Sequence, residues 1–164
     1  MNTFADSFTT ALRLVLSFDP ALWVVVGRSL AVSATACLIA GGLGLVLGAW
    51  LGTARFRGRE AVLTLLNTWL AVPSVVVGLV VYLLLSRSGP FGALGWLFSF
   101  KAMVLAQAIL VLPVVTALTR QVVEDVDRSH GEQLSSLGAS LGLRSLLLAW
   151  DERYALLTVL ITAF

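Results

Sequence analysis

The stretch SLAVSATACLIAGGLGLVLGAWLG, from Ser29 to Gly52, holds 24 consecutive residues with no ionisable group except the thiol of Cys37. As an α-helix it rises about 36 Å, enough to cross a hydrocarbon core of about 30 Å with some tilt. Two further runs repeat the pattern. Val62 to Leu85 carries no charge, and Ala102 to Thr119 is 18 residues long, near the lower limit for a span. A fourth apolar stretch opens at Tyr154 and stops at Phe164, about 16 Å of helix, so the sequence reads as a fragment of a longer protein. Composition agrees with the runs. Of the 164 residues, 59% are hydrophobic and 12% charged, against about 45–50% and about 25% in soluble domains. These numbers argue against a soluble globule and exclude a disordered chain. The expected class is an all-α integral membrane protein with three complete transmembrane helices and the start of a fourth.

A pI near 9.2 invites a nucleic-acid reading, but the basic residues lie between the apolar runs and are better read as topology signals. The first connection holds Arg55, Arg57 and Arg59, and the third, residues 120–153, holds Arg120, Arg128, Arg144 and Arg153. The other side has only Arg13, Arg28, Arg87 and Lys101. Connections one and three are therefore expected in the cytoplasm and the N-terminus outside. The expected partner of the spans is the lipid bilayer, and no nucleic acid.

Residues 1–28 form an outer N-terminal segment in this reading. Met1 to Leu12 contains Asp6 as its only charge, which does not fit the basic start of a secretory signal. Phe4, Phe8, Leu12 and Val15 recur at helical spacing, which suits a short surface helix, although an unstructured lead-in reads equally well. Asp19-Pro20 has the pattern of an N-cap followed by a first-turn proline.

Within the spans, Ala36, Ala40, Gly44, Gly48 and Gly52 recur every four residues. Such a ribbon lets backbones approach closely in lipid, where packing replaces hydrophobic collapse. It serves packing within one chain or a seam between chains. Pro73 and Pro113 lie deep in runs two and three, with Ser74, Asn67, Thr68, Gln107 and Thr116 as the polar side chains at similar depth. Proline removes a backbone hydrogen bond and bends a helix, so Pro73, Ser74 and Pro113 are candidates for a kinked pathway lining. Ordinary kinks between packed helices are the alternative.

No Asp, Glu, Lys, Arg or His falls within the three runs, which disfavours a proton-coupled pump. Lys101 is the single lysine and has no glycine-rich approach, so the chain has no P-loop for ATP. His130 lies in a polar loop without metal-ligand spacing, and no nucleophile–base pair is evident. We expect a non-enzymatic chain with no cofactor and no metal.

The third connection is too long for an idle turn. Leu134, Leu137 and Leu141 share one helical face, and Gly138-Ala139 removes bulk from the middle. A helix over Glu132–Leu141 is expected, presented either to a soluble partner or to the lipid surface.

At these residues the sequence resembles the permease subunits of ABC-type importers, whose coupling loop carries Glu-Ala-Ala, three residues, then Gly. Here that reads Glu132-Gln133-Leu134, Ser135-Ser136-Leu137, Gly138, with both alanines replaced. The later Ile-x-Leu-Pro element is absent, its place taken by Leu148-Ala149-Trp150-Asp151. LNTWLAVPSVVVGLVVYLLLSRSGPFGALGWLF followed by AMVLAQAILVLPVVTALT resembles the tungstate-type permeases of the molybdate and sulfate group more specifically.

The resemblance implies a five-span permease core over residues 29–164, incomplete here, in a bacterial or archaeal inner membrane. It implies a second permease subunit, two cytoplasmic ATP-binding subunits and an extracytoplasmic oxyanion-binding protein. It places the ATPase contact at Glu132, Leu134, Leu137, Gly138, Ala139 and Leu141. Two other readings compete: a small membrane scaffold pairing through Gly44-Gly48-Gly52, and half of a secondary transporter. The second lacks an internal repeat and an intramembrane charge.

Overall fold

The first apolar run belongs to a longer helix. The computed structural model describes residues 3–17, 19–136, 138 and 140–164. In it the N-terminal segment forms α1 (Thr3–Leu16), with Phe8 and Val15 exposed; the side chains of Phe4 and Leu12 lie outside those described. Asp19 then caps α2 (Pro20–Ala36), its carboxylate accepting from the backbone N–H of Ala21 at 2.9 Å and of Leu22 at 3.2 Å. A single π turn, Cys37–Gly41, joins α2 to α3 (Gly42–Thr53), giving one helix of 34 residues. The turn lies where Gly41 faces Leu160; a Cβ there would come within 2.7 Å of the leucine methyl.

The helix starts well before Ser29 because the Asp19-Pro20 cap, and not the edge of the apolar run, decides where backbone hydrogen bonding begins. Arg28 therefore sits inside the candidate spanning helix Pro20–Thr53. The reading that no charge belongs to a span holds for the apolar runs but not for the whole helices, since Phe100–Ser129 likewise includes Lys101, Arg120 and Glu124.

The second run is not one straight helix. It divides into α4 (Arg59–Leu70) and α5 (Ser74–Leu85), bent by 93°. Pro73 causes the break: its ring disfavours helical geometry at Val72, and its own ψ of 137° turns the chain out of the helix. The count of spans is corrected accordingly. Among the described residues two helices are long and apolar enough to cross a membrane, and a third span exists only if the bent pair acts as one.

After a 3₁₀ turn at Gly92–Leu94 comes α6 (Phe100–Ser136), 37 residues in one helix that passes through Pro113 without a break. The third run thus continues far into what read as a connection. α7 (Leu141–Asp151) and α8 (Arg153–Ala163) complete the described elements.

α6 is the axis of the fold. Gly44 faces Val115, Gly48 faces Thr116 and Thr119, and Gly52 faces Val123, so α3 and α6 run parallel. Elsewhere on α6, α5 lays Val77, Val81 and Leu85, one residue per turn, against Ala102, Ala106 and Ile109, with Trp96 and Leu97 packed on the same cluster. Ala40, Val111, Val115 and Val159 bury together where α8 joins the pair.

Candidate functional site: the end of the seam and the turn beyond it

Along the seam a Cβ on Gly44 would lie 2.9 Å from Val115 Cβ, and one on Gly48 would lie 2.6 Å from both the Thr116 carbonyl oxygen and Thr119 Cβ. On Gly52 the distance to Val123 Cβ would be 3.0 Å. Ala40 is buried one turn above. Val115, Thr119 and Val123 make a ridge that fits the groove left by the small residues. The ribbon is occupied by the chain's own α6, which takes away the surface that the scaffold reading needs. Thr119 is fully buried against Gly48, and its hydroxyl has no hydrogen-bond partner among the described residues.

Below Thr119 ionic contacts join the apolar ones, which continue where Val123 meets Gly52. Arg120, Glu124 and Arg128 follow each other at i, i+4 and i+8, one charged face of α6. Glu124 Oε2 accepts from Arg59 of α4 at 3.1 Å and also from Arg120; its Oε1 accepts from Arg128 at 3.1 Å. Arg59 reaches back to the Leu51 carbonyl at 3.3 Å, satisfying an open acceptor at the end of α3. Asp127, almost fully buried, accepts from Arg144 Nε of α7 at 2.6 Å. These bonds tie α3, α4, α6 and α7 into one knot beside a pocket of about 300 Å³ lined by Arg55, Arg59, Glu124 and Asp127.

The knot holds the turn that follows. Ala49, Val123 and Leu148 bury together, and Leu134 packs onto them, so Leu134 faces inward. α6 ends at Ser136, Gly138 has φ +79°, and Ser140 caps α7 by accepting from the Leu143 N–H at 3.4 Å. No single helix spans Glu132 to Leu141: Glu132 belongs to α6 and Leu141 opens α7. The expectation of one helix there is corrected, because a left-handed residue ends an α-helix. Within the described chain nothing lies within 4 Å of a Cβ on Gly138, so its glycine answers to the backbone conformation and not to a close neighbour. Leu137 and Ala139 lie outside the described residues, as do the side chains of Glu132 and Leu141. α7 leaves Leu143, Leu146, Leu147 and Trp150 exposed on the face opposite Leu148.

The pathway candidates fall on different elements. Pro73 and Ser74 are exposed at the bend, while Pro113 is buried in α6. Gln107 Nε2 donates to Ser33 Oγ at 3.0 Å, linking α6 to α2. Among the described residues no group of His, Cys, Asp and Glu side chains could hold a metal ion.

The family model described as "Binding-protein-dependent transport system inner membrane component" matches residues 44–146, from the seam through the knot and into α7. The chain belongs to that family. It is an inner-membrane, non-catalytic permease component, and relatives that it resembles are described as tungstate, molybdenum and sulfate permease proteins. It is 37% identical to the tungstate uptake system permease protein of Peptoclostridium acidaminophilum over 87% of this chain and 60% of the relative. A probable anion ABC transporter permease protein of Haloferax volcanii is 38% identical over 83% of this chain and 59% of that protein. The tungstate uptake system permease protein of Campylobacter jejuni is 33% identical over 97% of this chain and 66% of its own length. The chain spans about six tenths of the length of these relatives.

Reading the permease sequence alone missed the knot. The Arg120–Glu124–Arg128 spacing was a visible signal. The bonds from Arg59 and Arg144 join positions far apart in sequence and carried none.

Proposed function

We propose that this chain is the membrane-spanning subunit of an ATP-driven oxyanion importer, with tungstate as its first substrate. Two copies form the pathway, an extracytoplasmic binding protein delivers the anion, and two ATP-binding subunits dock at the turn between α6 and α7. The N-terminus lies outside and the Arg59–Glu124 knot in the cytoplasm, in keeping with the bias of Lys and Arg along the chain. The observation that carries this reading is the unbroken run of α6 from the membrane seam to the turn bearing Glu132 and Gly138. A rigid 37-residue helix, about 55 Å long, transmits movement at its end to the spans. Two relatives described as tungstate permeases support the choice of anion.

The test is reconstitution of the full-length permease with its ATPase and binding protein in vesicles. Tungstate uptake that requires ATP and outlasts an equal concentration of molybdate or sulfate is expected. Uptake abolished by equal sulfate would remove tungstate selectivity, and failure to capture the ATPase would remove the docking role. At Gly138 the informative pair is Gly138→Asn, which keeps the left-handed conformation, against Gly138→Leu, which strains it. Docking that survives both changes overturns the assignment of the turn.

A further inference from the structure

Between α2 and α6, toward the end of α6 away from the knot, a cleft of about 500 Å³ is lined by Arg28, Ser29, Ser33 and Gln107 over an apolar floor that includes Val32 and Met103. By helical rise, Ser33 and Gln107 stand roughly 20 Å above the level where Gly48 meets Thr119. Arg28 is about 7 Å further out. With Thr119, next to Arg120, taken as the inner edge of a hydrocarbon core of about 30 Å, the set runs from near the outer edge of that core into its outer third.

Its chemistry is one-sided. Among the described residues no carboxylate lies within ion-pair distance of Arg28, and none lines the cleft. Gln107 gives one amide N–H to Ser33 Oγ, which leaves the Ser33 hydroxyl proton and the second amide N–H for another acceptor. Ser29 adds a hydroxyl and Arg28 a planar fork of donors. An uncompensated guanidinium on a spanning helix is costly where nothing pairs with it. Donors gathered at one cleft without a competing carboxylate favour an anion with several oxygens.

We propose that this cleft is a binding site for a tetrahedral oxyanion at the outer mouth of the pathway. Arg28 meets the anion, and Ser29, Ser33 and Gln107 take over its oxygens as water is shed. The site rests on the importer reading above, whose substrate class it shares. Its function is to hold an anion released by the binding protein so that it does not escape before the subunits turn inward. A lipid phosphate offers the same chemistry and is separated by the test.

The full-length permease, assembled with its ATPase and binding protein, is reconstituted in phosphatidylcholine vesicles with and without phosphatidylglycerol. Tungstate uptake and ATP hydrolysis are measured together for wild type, Arg28→Gln, Arg28→Lys and Gln107→Leu. In Arg28→Gln uptake falls further than hydrolysis, so that ATP consumed per tungstate rises about ten-fold in both lipids. Arg28→Lys restores part of the loss, and Gln107→Leu shows a smaller rise in the same ratio. An unchanged ratio in Arg28→Gln, or uptake and hydrolysis falling in step, overturns the site while wild-type uptake keeps the importer reading. A defect confined to vesicles with phosphatidylglycerol assigns Arg28 to a lipid headgroup and overturns it too. Wild type that moves no oxyanion overturns both.

Discussion

The two halves of α6 are held in place by opposite means. Between Ala102 and Thr119 the helix meets α3 through glycines, with Val115 and Thr119 pressed against backbone. Between Arg120 and Asp127 only Val123 continues that seam, and charges from α4 and α7 hold the helix besides. In hydrocarbon there is no hydrophobic drive between helices, so contact comes from shape and close approach. Where water returns, shape can be looser because ion pairs supply direction. The glycine seam should therefore fail steeply and locally, and the knot by degrees.

The largest effect is expected at Gly48. Gly48→Val puts side-chain atoms into the Thr116 carbonyl and Thr119, where neither neighbour can yield far. We expect a loss of about 3 kcal/mol or more, read as a drop in the thermal midpoint in detergent and faster hydrogen exchange along α3. A midpoint within error of wild type would mean that the seam is not close-packed.

Next comes Glu124→Ala, which leaves Arg59 and Arg120 facing each other without their shared acceptor. These side chains are about one-fifth exposed, so solvent screens part of the repulsion and a loss of about 2 kcal/mol is expected. Exchange should rise at the start of α4 and in α6 beyond Thr119 while the seam stays protected. Loosening of both regions together would join what the comparison separates.

A smaller loss, about 1 kcal/mol, is expected for Gly138→Ala and only a few tenths for Gly138→Asn, because asparagine tolerates positive φ better than alanine. Equal effects would place the cost in packing and not in the backbone.

The smallest change should run the other way. Thr119→Val removes a buried hydroxyl without a partner while keeping the shape that fits Gly48, and should raise stability by about 0.5 kcal/mol. Destabilisation would show that this hydroxyl is engaged after all.

Much of the membrane character was legible along the chain. The runs from Ser29, Val62 and Ala102 needed only hydropathy and helical rise. Asp19-Pro20 was legible because a cap is local: its carboxylate reaches N–H groups two and three residues away. The break at Val72-Pro73 was half legible, since proline announces a bend without its angle. Hydropathy runs hid the true helix lengths, because a capped helix continues through Arg28 at one end, and α6 through Arg120 and Glu124 at the other.

Sequence by itself determined the class, the near absence of charge from the spans and the four-residue spacing of small side chains, all set by neighbours a few residues apart. Only the tertiary structure decided that Gly44, Gly48 and Gly52 face this chain's own α6, and that Glu124 gathers arginines from two helices. It also decided that Arg28 shares a cleft with Gln107. A helix presents every face to its surroundings, and which face meets which partner depends on rotations and crossings that no local pattern encodes.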